Sequence, residues 1–169
     1  MKILHTALAI ALAATLAPAA VAHDAGKGHT KVDTVRKATE RFHDVRVARE
    51  AGYEPAADCV TGPGGGMGIH YTNERLARDP RIDLRRPEVL LYEPHGDQRR
   101  LVAVEYFRAD ADGRLETDDD RPYLFGRGFD GPMEGHEPGM PVHYDLHAWV
   151  WKHNPAGTFA QFNPRVSCP

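Results

Sequence analysis

Serine is almost missing from this chain: Ser167 is the one serine among 169 residues, and no G-x-S-x-G occurs, which excludes an elbow-type serine nucleophile. Cysteine is nearly as scarce. Cys59 and Cys168 are the two thiols, and neither has a second cysteine nearby, as a thiolate zinc module needs. No charge of either sign prevails, since 21 basic and 24 acidic residues leave a formal net charge of −3. The basic residues are scattered apart from short clusters such as Arg85-Arg86 and Arg99-Arg100, so the striped footprint of a nucleic-acid binder is absent. The glycine-rich stretch from Pro63 to Gly68 is followed by no Gly-Lys-Ser/Thr and no helix-forming run, which excludes a phosphate loop. Its glycines are expected to take positive φ or to admit a close backbone neighbour.

Long apolar runs occur once. Met1-Lys2, the run Ile3 to Pro18 and the small residues Ala20-Val21-Ala22 have the form of a secretory signal peptide over 1–22, with cleavage before His23. The run is short for a membrane span. Export to the periplasm or medium is therefore expected, with no membrane association after removal and a net charge of −4 once Lys2 is gone. In that setting Cys59 and Cys168 read as a disulfide, worth up to ~4–5 kcal/mol in the chain-entropy model for so long a loop. If processing leaves His23 as residue one, its amine and imidazole form a copper-chelating pair.

Residues 23–31 are polar and read as a flexible leader, and 32–169 as a single α+β domain. Thr30 with Asp33 resembles a capping box. Val35, Ala38, Phe42, Val45 and Ala48 then repeat at three and four, which predicts one amphipathic helix ending at Gly52. Pro87 to Glu93 and Arg100 to Phe107 read as strands joined by a turn at His95-Gly96-Asp97. On the second of these, Leu101, Ala103, Glu105 and Phe107 would share a face. A carboxylate on an apolar face costs free energy unless it is paired or bound to a cation, so Glu105 is a site candidate. The acidic run Ala109 to Asp120 lacks the spacing of a calcium loop and reads as solvated. Arg121 to Met140 is expected as an ordered irregular loop covering the last hairpin.

Chemistry concentrates between Gly135 and Pro155. If Val142 to Lys152 is a strand, His143, Asp145, His147, Trp149 and Trp151 share one face and Tyr144, Leu146, Ala148 and Val150 the other. Tyr, Trp and Val favour that strand, and Asn154-Pro155-Ala156-Gly157 would turn it into a hairpin with Thr158 to Phe162. A helix is the alternative. The ligand pairs differ: a strand lets Asp145 share an ion with His143 or His147, whereas a helix brings His143 and His147 together. His70, just after the glycines, and His136, on the covering loop, complete the candidates.

The motifs CVTGPGGGMGIHY from Cys59, PEVLLYEP from Pro87, LVAVEYF from Leu101, the run from Leu124 to Gly157 containing PVHYDLHAWVWKHNP, and FNPRVSCP at the end resemble a family of uncharacterised exported bacterial proteins. The resemblance implies export and one domain. It implies no particular activity.

The fold expected is thus α+β, one N-terminal helix packed on a mostly antiparallel sheet or partial barrel with long ordered loops. The leading functional expectation is a transition-metal site for zinc, copper or iron, built from His70, Glu105, His143, Asp145 and His147, open enough for hydrolysis or oxygen chemistry. The alternative is a metal-free pocket for a small polar molecule, lined by His136, Trp149 and Trp151 with Tyr144 and Phe129. A hydrogen-bonded polar core without any ligand is the third reading.

Overall fold

A computed structural model describes residues 25–56 and 58–169, with side chains from residue 30 onward. The signal-peptide reading of 1–22 and the copper pair at His23 lie outside the described residues. Helix α1 (Ala25–Thr39) is followed by a 3-10 turn (Glu40–His43) and α2 (Val45–Glu50). Strands β1 (Glu54–Pro55), β2 (Val60–Gly62) and β3 (Gly65–Thr72) come next, then α3 (Glu74–Ala77), β4 (Val89–His95) and β5 (Gln98–Ala109). The chain continues through β6 (Tyr123–Leu124), β7 (Arg127–Gly128), β8 (Asp130–Met133) and β9 (His143–Ala148).

Two expectations about the helical part are corrected. Ala25 to Lys31, expected in a leader, belong to α1. Thr30 is thereby an interior residue whose carbonyl accepts from Thr34 Oγ1, so no capping box forms at Thr30. The single helix is in fact broken at Asp44. That residue is extended, and its carboxylate accepts from the Arg46 N–H at 2.9 Å, so a new N-cap restarts the helix.

Seven strands form an open antiparallel sheet in the order β1-β3-β4-β5-β9-β8, with β2 also on β3, and β6 and β7 pair with each other in a separate two-stranded sheet. The sheet does not close, which settles the barrel alternative. His95 pairs with Gln98 across Gly96-Asp97, so the β4–β5 hairpin stands where the turn signal put it. The hairpin expected between Val142–Lys152 and Thr158–Phe162 is not formed. β9 pairs instead with β5 and with β8, which comes out of the segment read as irregular.

The sheet has two covered faces. Leu90, Tyr92, Leu101, Val104, Tyr106 and Leu146 pack under Val35, Phe42 and Ala48 of the helical segment. Val89, Leu91, Val102, Ala103, Phe107 and Trp149 form a second cluster on the other face, closed by Val166 of the tail. A bulge decides which residues go where. Leu91 pairs with Ala103 but Tyr92 pairs with Leu101, leaving Val102 as the extra residue. Such an insertion shifts the alternation by one. Leu101 therefore faces the helices, while Ala103, Glu105 and Phe107 keep the opposite face.

The tail is tied back by the Cys59–Cys168 disulfide, by the Ser167 N–H to Glu93 at 3.0 Å, and by a Gly66–Asn163 bridge. The glycines behave as expected of them. A Cβ on Gly68, at φ +100°, would lie 2.7 Å from the Tyr92 carbonyl oxygen, so only glycine lets β3 approach β4 there.

Candidate metal centre

Register brings three side chains from separate parts of the chain to one place on the face away from the helices. Glu105 on β5 is paired directly with His147 on β9, and directly opposed residues in an antiparallel ladder project together. His70 sits on β3, one strand further, paired with Leu91 of β4. It leans across β4 to meet the glutamate. His70 Nε2 lies 3.3 Å and His147 Nε2 3.7 Å from the same oxygen, Glu105 Oε2. One ligand atom from each of the three residues lies within 4.8 Å of the other two.

These contacts are not hydrogen bonds. Glu105 Oε2, both His147 ring nitrogens and His70 Nδ1 are buried without a hydrogen-bond partner among the described residues. Each such orphan costs about 1–3 kcal/mol, and buried polar atoms are otherwise nearly always satisfied. The side chains of Glu105 and His147 are only 3% and 1% exposed, and that of His70 13%. Edges of 3.3 and 3.7 Å are those of a coordination shell, because ligand bonds of about 2.0–2.2 Å give a tetrahedral edge near 3.4 Å. His70, Glu105 and His147 could hold a metal ion.

Behind His147, Asp145 Oδ1 stands 3.6 Å from His147 Nδ1. The strand reading has Asp145 and His147 share one ion; Asp145 instead stands by the far ring nitrogen of His147 and is not one of the three groups that converge. The electrostatics follow from the same geometry. Burial works to lower the His147 pKa, but Glu105 and Asp145 outweigh it and raise the imidazole to about 9. Burial would raise Glu105, yet the positive field of His147 and the approach of His70 hold it below the usual carboxylate range. Without a metal, a proton on His147 neutralises the cluster.

His143 occupies the same face but does not join the three. Its Nδ1 lies 3.1 Å from the Pro141 carbonyl oxygen, its ring stacks on Phe107 at 5.1 Å, and His136 covers it at 5.2 Å. Its Nε2 has no hydrogen-bond partner among the described residues. Burial lowers the His143 pKa. The separation from His147 follows from strand rise: four residues at ~3.4 Å each place the two imidazoles too far apart for one ion.

The two indoles are placed differently from the expectation. The strand stops at Ala148, where the Val150 N–H turns back to the Ala148 carbonyl and those of Trp151 and Lys152 both go to Val102 O. Alternation ends there. Trp151 therefore lies on the helix side, donating to Thr39 Oγ1 at 3.1 Å and meeting the His43 ring edge-on. Trp149 stays on the site's face but is core, its Nε1 donating to Ala160 O at 2.6 Å. Tyr144 and Phe129 are buried beneath the helices. The aromatic pocket of the metal-free alternative is thus not assembled from those four rings.

A cleft of about 870 Å³ opens on two members of the cluster, His70 and Glu105, while His147 lies behind them and outside its lining. His70 and Glu105 form part of its lining and Phe107 is its aromatic wall, while His136 and Met140 hang over it from the covering loop. Its other side comes from α3 and the following turn, including Arg78 and Pro80, and from Arg108 to Ala111 at the end of β5. Nothing in the sequence marked these residues: Arg108 is an ordinary charge at a strand end, and only the approach of residues 78–80 makes it part of a wall.

Compared with protein-family models, with curated proteins and with solved structures, the chain has no match.

Proposed function

We propose that the protein holds one transition-metal ion between His70 Nε2, Glu105 and His147 Nε2, with a coordination position left open toward the cleft. The observation that carries this is the convergence of two imidazole nitrogens on one buried carboxylate oxygen, with Glu105 Oε2 and His147 Nε2 lacking a hydrogen-bond partner among the described residues. Two histidines and one carboxylate suit zinc, copper or iron. Structural zinc sites close with four protein ligands, whereas sites with three keep a place for water or substrate. This set has three. Asp145, with Oδ1 3.6 Å from His147 Nδ1, would orient the metal-bound histidine and fix its tautomer once the two close to hydrogen-bond distance. An ion there would lower the pKa of a bound water and polarise a substrate oxygen, so the site is that of a metal-dependent enzyme acting on a molecule small enough for the cleft.

The disulfide fits an oxidising, non-cytosolic compartment, and no helix among the described residues is long and apolar enough to cross a membrane. The disulfide and the N-terminal run support an exported protein, as does the resemblance to exported bacterial proteins.

The test is elemental analysis of tag-free protein incubated with zinc, copper and iron and then desalted. One equivalent of a single metal is expected, lost in His147→Ala and accompanied by a rise in Tm over the chelated protein. No stoichiometric metal under any of these conditions sinks the reading and leaves a buried ion network.

A further inference from the structure

Outside the three-residue cluster, one more buried imidazole nitrogen has nothing to bond. His143 is fully buried. Its Nδ1 lies 3.1 Å from the Pro141 carbonyl oxygen, and a carbonyl can only accept, so Nδ1 carries the proton and Nε2 of the neutral ring is a bare lone pair. That lone pair has no donor among the described residues. A histidine that ligates a metal almost always donates its other N–H to a carbonyl or a carboxylate. His143 is already held in this way, with Phe107 stacked on its ring. The second imidazole is close by. The His136 ring, exposed on the loop between β8 and β9, has its centre 5.2 Å from that of His143 at an angle of 60°. Two imidazoles on one ion keep their ring centres about 5 Å apart when metal–nitrogen bonds are ~2.0–2.1 Å, so His136 has only to turn its ring.

We infer that His143 Nε2 and His136 form a second, weaker transition-metal site for zinc or copper(II), carried by the covering loop. Both ions take imidazole nitrogen readily. Charge favours a cation there. Glu134 and Glu137, on either side of His136, are exposed and make no ion pair or side-chain hydrogen bond among the described residues. The site is separate from the first, because His143 and His147 stand four residues apart on β9, ~13 Å along the strand. It also does something the first does not. An ion shared by His143 and His136 ties the loop to β9 and fixes the overhang that His136 and Met140 make above the cleft.

The test is zinc titration of tag-free protein by calorimetry, followed in parallel by NMR of its isotope-labelled histidines. A tight equivalent and a weaker one, lost on desalting, are expected. His136→Ala should weaken the second at least ten-fold and keep the first, and His147→Ala should do the reverse. Because His143 is part of the core, it is watched rather than replaced. Its Nε2 resonance should move with the second equivalent and stay still in His136→Ala. A second equivalent of undiminished affinity in His136→Ala, as exposed His95 or His153 would give, overturns the inference. So does an Nε2 resonance unmoved at saturating zinc, or a single equivalent that His136→Ala retains. Zinc lost in His136→Ala but fully kept in His147→Ala supports this site and sinks the first, so the two readings fail separately.

Discussion

Two buried glutamates, one on each face of the same sheet, show how differently this protein treats its polar groups. Glu88 and Glu105 are 1% and 3% exposed. Glu88 is the residue just before β4, and its Oε2 accepts the Phe107 N–H at 3.1 Å. Burial raises its pKa to about 8, so at neutral pH it is mostly an uncharged acid within a satisfied network. Its surroundings are of the same kind: the hydroxyls of Tyr53, Tyr92 and Tyr106 each donate to a backbone carbonyl, those of Pro87, Phe42 and Leu84. Glu105 is pulled the other way by two imidazoles and stays ionised, with its Oε2 unbonded. Glu88 and these three tyrosines are satisfied locally, whereas the group around Glu105 converges without hydrogen bonds, which makes it the candidate site.

The contrast can be broken most sharply on the cleft face. His147→Ala should abolish stoichiometric metal binding at the Glu105 cluster, a loss of at least a hundred-fold in affinity by metal titration, because only two ligands remain. At pH 7 metal must displace the proton that His147 carries, so zinc binding is expected to release protons and to tighten as pH rises toward about 9; calorimetry in buffers of different ionisation enthalpy measures this.

Next in size is the helix face. The Glu88 pKa is raised on folding, so its stabilising effect is full below the unfolded value near 4.5 and is lost as pH rises through about 8. Denaturant unfolding should therefore show stability falling by on the order of a few kcal/mol over that window. Glu88→Gln should flatten this dependence and leave metal binding unchanged. Asp145→Asn comes third. It should weaken metal affinity about 10–100-fold with the fold intact, because the partner that orients His147 is blunted. Tyr92→Phe is the smallest, about 1 kcal/mol by chemical denaturation for its bond to the Phe42 carbonyl, with no effect on the metal. A Tyr92 variant that lost metal at that cluster, or a His147 variant that kept it, would erase the distinction between the faces.

Much of this was readable from local signals. The β4–β5 hairpin followed from alternation and Gly96, the strand character of His143 to Ala148 from the Tyr, Trp and Val residues of the stretch Val142 to Lys152 that contains it, and the disulfide from the cysteine count. Glu105 stood out because a carboxylate among apolar neighbours needs a partner. Two of the errors share a cause, local signals overridden by contacts from far away in the chain: Val102 as a bulge and the exit of the chain after Ala148 each interrupt a period, and periodicity cannot report its own interruption. The break at Asp44 is different, a local N-cap on Arg46 that the apolar repeat ran across. The partner of β9 was misassigned because Thr158 to Phe162 is nearer in sequence than β5.

Sequence alone singled out the groups that needed company, the imidazoles of His70, His143 and His147 with the carboxylates of Glu105 and Asp145, and two thiols with only each other to pair with. Tertiary structure decided who the company is. His70 reaches Glu105 only because β3 and β4 run side by side with glycine allowing the close approach, and Glu105 meets His147 only because β9 crosses the intervening chain to lie against β5. Distances between strands are set by the hydrogen-bond ladder, and the ladder is written in pairings that no single segment contains.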